Sequence, residues 1–255
     1  MPPANNGQQQ VALVTGASRG IGAATAHELA RRGYSLVLAA RSQQRLEELA
    51  QECRQSGVAA LVVPTDLSSM ADVERLAQIA LQHFGRVDLV IHNAGLGGSG
   101  KLLAQTDPHA IRELLAVNLD APVALTRALL PQMIERRSGS FVFVGSVVGR
   151  VAVPTSVAYS ASKHGLRGFA LALRREVRRY GIDVTLVAPG FVATDMTARL
   201  RGIPKIAPER VARVIADAAV QPHREIVTPW YYRPVCTLEM LFPWAIDVAL
   251  RVWAR

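Results

Sequence analysis

Tyr159 and Lys163 stand four residues apart in "YSASK", and Ser146 precedes the tyrosine by thirteen. On a helix that spacing projects phenol and ammonium from one face. Such a pair can exchange a proton. An unperturbed tyrosine, with a pKa near 10, is a poor base at neutral pH. A cation within about 4–6 Å favours tyrosinate by roughly 1–3 units. A serine hydroxyl beside them can bind a carbonyl oxygen as charge develops on it. Taken alone, the pair also reads as a surface tyrosine over a lysine stem.

A second constellation is "TGASRGIG", residues 15–22. Gly16-Ala17-Ser18-Arg19-Gly20 fits the turn that presents a hydrolase serine. The same residues fit a loop that cradles a dinucleotide phosphate. A hydrolase turn takes an oxyanion donor from an upstream strand–helix loop. Only 15 residues precede Gly16, too few for that sheet. Ser18 instead follows the first apolar run and opens a helical stretch over 21–32, where backbone N–H groups favour phosphate. Gly16 permits the tight turn, Gly20 close approach, and Gly22 helix–strand packing.

Seven short runs position these groups: 11–15, 35–40, 59–64, 87–92, 140–145, 183–189 and 225–229. They are rich in Val, Leu and Ile and apolar on both faces, as buried parallel strands are. Amphipathic stretches lie between them, including one from a Ser42 cap to a Gly57 stop and another over 156–180. The alternation predicts an α/β fold: a Rossmann-type, doubly wound, mainly parallel seven-stranded sheet with helices on both faces. Ligands then bind at the carboxyl ends of the strands. Ser146 and "HNAG" (92–95) fall at such ends, and Asn118 ends a helical stretch.

The chain has 255 residues and a net charge of +9, and all but three of its 29 basic residues are arginine. They are scattered without an aromatic-interleaved patch, so no nucleic-acid partner is expected. Two cysteines, Cys53 and Cys236, point to a reduced, cytoplasmic setting. The five histidines outside "HNAG" have no metal-ligand spacing, and no metal is expected. Residues 1–10 read as a disordered lead-in, 11–233 as one domain, and 234–255 as an apolar C-terminal helix packed on the domain or an oligomer partner. Membrane contact by that helix is the less favoured reading, because its charges are few.

Together the motifs resemble the short-chain dehydrogenase/reductase family over nearly the whole chain. The family's glycine loop is matched by Thr15, Gly16, Gly20 and Gly22, and its Asn-Ala-Gly by Asn93, Ala94 and Gly95. Asp66 matches the acid after the third strand, and Pro189 and Gly190 the Pro-Gly after the sixth. Asn118, Ser146, Tyr159 and Lys163 match its catalytic tetrad; His92 departs from a usual second Asn. The resemblance implies a nicotinamide cofactor held by Gly16, Ser18, Arg19, Gly20, Ile21, Gly22, Arg41, Asp66, Leu67, Asn93, Ala94, Gly95, Tyr159, Lys163, Pro189, Gly190, Val192 and Thr194. In that reading Asp66 bonds the adenine, or caps the following helix. Lys163 bonds the ribose and joins a relay through Asn118, and 195–206 is a lid over substrate.

The second strand ends "LAAR". NAD-preferring relatives carry an acid where Ala40 stands. Arg41 and Arg19 can instead bind a 2′-phosphate, so NADP(H) is the expected cofactor. The implied activity is NADPH-dependent reduction of an apolar ketone or aldehyde, running backwards as an alcohol dehydrogenase, in a homodimer or homotetramer. The alternatives are a 3-oxoacyl-thioester reductase, which the apolar ending disfavours, and an NADPH-sensing binding protein, which the intact tetrad disfavours.

Overall fold

Strand β1 (Val11–Thr15) is buried along its whole length. Val11 and Leu13 join one core cluster and Ala12 and Val14 another. A strand that feeds two cores must lie inside a sheet covered on both faces. In the computed structural model, which describes residues 9–253, that sheet has seven parallel strands. The others are β2 (Ser35–Ala40), β3 (Ala60–Pro64), β4 (Leu89–His92), β5 (Gly139–Val144), β6 (Ile182–Pro189) and β7 (Glu225–Thr228). Their order is β3-β2-β1-β4-β5-β6-β7. The chain winds outward from β1 in one direction and from β4 in the other. The reversal between β1 and β4 opens a crevice at their carboxyl ends, where a doubly wound sheet binds its ligand. The expected fold class is therefore the observed one.

Helices α1 (Gly20–Arg31), α2 (Gln43–Arg54) and α3 (Met70–Phe84) follow the first three strands. Helix α3 starts at Ser69, whose hydroxyl accepts from the Asp72 N–H, and stops at Gly85 with φ 71°. Next come α4 (Pro108–Leu115) and α5 (Ala121–Arg136), then α6 (Val157–Val177) and α7 (Pro208–Val220). The stretch from Pro108 to Arg136 is apolar and long enough to span a bilayer. It is nonetheless a core helix, with Leu125, Leu129 and Met133 buried against the sheet.

Three boundaries differ from the sequence reading. Asn118 does not end a helix. It lies in a π-helical turn, Ala116–Asp120, through which α4 runs on into α5. The extra residue of such a turn has no sequence period to betray it. Residues 1–8 of the expected lead-in lie outside the described residues, whereas Gln9 accepts a hydrogen bond from the Ser35 hydroxyl and Gln10 from the Ser35 N–H. The C-terminal segment is a pair of helices, α8 (Arg233–Leu241) and α9 (Pro243–Trp253). The break falls at Phe242, because the following proline disfavours helical geometry there.

That pair docks through Cys236 and Ile246, which meet Val147 and Val151 behind Ser146. Its outer side keeps Leu238, Met240, Leu241, Phe242, Trp244 and Val248 exposed. The single chain thus buries only part of the apolar surface expected to be covered.

His92, the departure at the end of β4, is a core residue. Its ring stacks on Phe143 at 4.6 Å, and Nε2 lies 3.0 Å from the Thr126 hydroxyl. Burial pushes its pKa from 6.5 down to about 3. An unfolded chain takes up this proton below pH 6.5 and the folded chain refuses it. Its contribution is therefore complete above that pH and is lost as pH falls towards 3, about 2 kcal/mol having gone by roughly pH 5. Urea unfolding at stepped pH tests this: His92→Asn is expected to flatten the acid limb, and an unchanged limb would assign the acid sensitivity elsewhere.

Candidate active site

The glycine loop closes against the end of β4. Gly16 has φ 65°, and a Cβ there would meet the Ala94 Cα at 2.8 Å. A Cβ on Gly22 would lie 2.1 Å from the Gly16 carbonyl oxygen, so helix and loop tolerate no side chain between them. Asn93 braces the turn from below. Its amide donates to the carbonyls of Thr15 and Gly16 at 2.9 and 3.2 Å. The Thr15 hydroxyl accepts from the N–H groups of Asn93 and Ala94.

Ser18 lies in this turn and Arg19 at the N-cap of α1, where no side chain accepts from the first N–H groups. Ile21 packs on the core. An uncapped helix N-terminus behind a glycine-rich loop fits the diphosphate of a dinucleotide. Ser18 lies in the loop that leads from β1 directly into α1.

The other expected cofactor residues line neighbouring strand ends. Arg41 is exposed just past β2, and its Nη1 lies 3.8 Å from Glu113. Asp66 and the buried Leu67 follow β3. One Asp66 carboxylate oxygen accepts from the N–H and hydroxyl of Ser68, closing a local turn. The cap of α3 is Ser69, so Asp66 does not cap that helix.

Pro189 ends β6, and the Gly190 N–H donates to the Thr228 carbonyl. The Tyr232 ring covers Gly190 so closely that a Cβ would lie 2.1 Å from it. Val192 is buried and bridges to Ile206. Thr194 packs over Gly20, its methyl 3.1 Å from where a Cβ would stand. The segment 195–206 thus forms a loop with joined ends beside the glycine cradle. Asp195–Thr197 is a short 3-10 turn within it.

Three of the tetrad meet around the chain after β4. Asn118 is fully buried; its amide donates to the Leu96 carbonyl and to Ser162, and its oxygen accepts from the Leu96 N–H at 2.7 Å. Gly95 faces that oxygen and Lys163 Nζ, which lie 3.3 and 3.5 Å from where a Cβ would sit. Lys163 donates to the Val144 carbonyl at 3.0 Å, with Nζ 5.8 Å from the centre of the Tyr159 ring.

Ser146 completes the set just past the end of β5, its hydroxyl accepting from the Val148 N–H at 3.1 Å. Sequence reasoning missed Ser162, the buried partner of Asn118, which also donates to the Tyr159 carbonyl. Its position between Tyr159 and Lys163 was the only available signal.

The electrostatics reverse one expectation. Burial raises the Tyr159 pKa, and the Ser146 hydrogen bond only partly opposes it. Burial also pushes Lys163 down to about 8. Burial is the larger effect on Tyr159, so the phenol keeps its proton at neutral pH. A protonated phenol is suited to giving a proton away.

A cavity of about 220 Å³ adjoins Tyr159, lined by Leu96, Lys101, Leu103, Ile111, Leu114 and Val157. The C-terminal helices do not line this cavity; they pack on Val147 and Val151, which follow Ser146. Among the described residues no three of His, Cys, Asp and Glu gather as metal ligands.

The glycine loop and the tetrad stand at the carboxyl edge of a doubly wound parallel sheet. The sequence profile of the short chain dehydrogenase family matches residues 10–203, and the chain belongs to that family. Human dehydrogenase/reductase SDR family member 7 is 40% identical over 191 residues, 73% of this chain and 56% of that protein. Member 7B of Bos taurus is 37% identical over 193 residues, 73% of this chain and 59% of its own. The chain therefore spans little more than half the length of these relatives.

Two solved structures superpose on 86% of the chain, each over 96% of its own length. One is a metagenomic short-chain oxidoreductase in complex with NADP, 37% identical with a TM-score of 0.77. The other is an alcohol dehydrogenase from the archaeon Thermococcus sibiricus complexed with 5-hydroxy-NADP, 30% identical with a TM-score of 0.78.

Proposed function

We propose that the protein is an NADP(H)-dependent carbonyl reductase acting on apolar ketones or aldehydes, and on the matching alcohols in reverse. The observation that carries this reading is the placement of Tyr159, with Lys163 Nζ 5.8 Å from its ring centre and a mainly apolar cavity beside it. The bound nicotinamide would supply or accept hydride. Ser146 orients the carbonyl oxygen and stabilises its growing charge. Tyr159 delivers the proton, and buried Lys163 holds positive charge behind it below pH about 8.

Ala40 and Arg41 support NADP(H) over NAD(H), as does the NADP held by the metagenomic relative. Two buried, unpaired thiols, Cys53 and Cys236, support a reducing, cytoplasmic setting. The exposed apolar side of α8 and α9 supports a homo-oligomer.

Loss of NADPH absorbance across a panel of ketones, aldehydes and 3-oxoacyl thioesters tests the reading. Turnover is expected with apolar ketones or aldehydes. Turnover confined to thioesters would favour that alternative, and NADPH binding without turnover of any carbonyl would make the chain a binding protein.

A further inference from the structure

Arg19 and Arg41, the cations assigned to the 2′-phosphate, already have partners. Arg19 Nη1 lies 2.8 Å from Asp195 Oδ2, and Arg41 Nη1 lies 3.8 Å from Glu113 Oε1. The two carboxylates come from separate elements, both on the substrate side. Asp195 opens the loop that follows β6, and Glu113 sits on α4 at the lining of the cavity beside Tyr159.

Asp195 is held where it stands. Thr194 and Thr197 cap each other's backbone around it, and Lys205 donates to the Thr197 carbonyl at 2.6 Å. Met196, the next residue, lies 2.9 Å from where a Gly97 Cβ would be. The backbone at Asp195 is thus held beside the cradle, and that at Glu113 by α4.

We infer that Asp195 and Glu113 are counter-ions that temper the preference for NADP(H) over NAD(H). The inference rests on the NADP(H) reading above. To bind a 2′-phosphate, each arginine exchanges a carboxylate for it. A phosphate dianion wins that exchange, with more charge and three acceptor oxygens. The exchange still subtracts the strength of the old pair from the new contact.

Both pairs are open to water: Arg19 and Asp195 are 62% and 71% exposed, Arg41 and Glu113 65% and 35%. Exposed pairs are weak, so each contributes a factor of about one and a half to five. A cofactor without the 2′-phosphate leaves both pairs intact and escapes the penalty. The carboxylates therefore moderate NADP(H) affinity alone, by acting through the arginines without touching the nicotinamide end.

The test is a calorimetric titration of the full chain with NADPH, NADH, 2′,5′-ADP and 5′-AMP. Asp195→Asn and Glu113→Gln are each expected to tighten NADPH and 2′,5′-ADP about one-and-a-half- to fivefold, leaving NADH and 5′-AMP unchanged. On an Arg19→Ala background, Asp195→Asn is expected to change nothing, because its partner is gone. Equal tightening of all four ligands would overturn the inference, as a general charge effect. Weaker NADPH binding in the carboxylate variants would also overturn it, as loss of site structure. Wild-type protein that binds 5′-AMP as tightly as 2′,5′-ADP would overturn the NADP(H) reading and the inference together. A wild-type preference for 2′,5′-ADP with unresponsive variants would overturn the inference alone.

Discussion

Tyr159→Phe is expected to fold, to bind NADPH nearly as the parent does, and to turn over about 10²- to 10⁴-fold more slowly. The substitution keeps the ring and deletes one oxygen. That oxygen is the group whose pKa burial raises, so that it keeps its proton at neutral pH. Losing one hydrogen bond costs about 1 kcal/mol, which leaves the core and the cradle standing. The loss therefore falls on turnover, because no other described acid takes its place: Lys163 is turned to the Val144 carbonyl and Asn118 to Leu96.

The direction of the shift sets a pH signature as well. Because the phenol pKa is raised, reduction holds its rate at neutral pH and declines as Lys163 loses its charge above about 8. Alcohol oxidation, which needs the phenol to accept a proton, climbs with pH. Steady-state turnover on the best carbonyl, beside an NADPH titration, measures both parts. Near-normal turnover of the variant would show that another group delivers the proton.

The sheet was legible in the sequence because its strands are buried on both faces and leave unbroken apolar runs. Val37, Leu38 and Ala39 are fully buried, and so are Phe141, Val142 and Phe143. The residues of the site were legible because their spacings are local: four residues from Tyr159 to Lys163, one turn from Gly16 to Gly20. What did not show was whatever depends on desolvation or on distant partners. The sequence predicts a cation beside the phenol, but the balance against burial needs coordinates. Ser162 looks like filler until Asn118, 44 residues earlier, is seen to donate to it. The break at Phe242 could be read from Pro243, whereas the exposed outer side of α8 and α9 could not: periodicity tells which residues are apolar but not whether anything covers them.

The cofactor preference is expected to invert when Ala40→Asp is combined with Arg41→Ala. Ala40 is the last residue of β2, and Arg41 follows it at the carboxyl edge of the sheet. Removing one charge-assisted phosphate contact costs about 1.5–3 kcal/mol, or roughly ten- to a hundredfold in NADPH affinity. The new carboxylate acts in the same direction, since it repels a 2′-phosphate and accepts hydrogen bonds from ribose hydroxyls. NADH binding is therefore expected to tighten while NADPH binding falls, and the ratio of the two affinities moves further than either alone. Arg41 lies outside the packing that shapes the cradle, whereas Ala40 is buried in the same cluster as Ala17 of the loop, so circular dichroism beside the titrations checks that the variant folds. Turnover with saturating NADH is then expected to stay within reach of the parent's turnover with NADPH, because Tyr159, Ser146 and Lys163 are unchanged. Titrations of both cofactors against parent and variant decide it. A parent that binds NADH more tightly than NADPH would sink the assignment outright. A variant whose NADPH affinity is unchanged would move the 2′-phosphate site away from Arg41 and leave Arg19 to hold it.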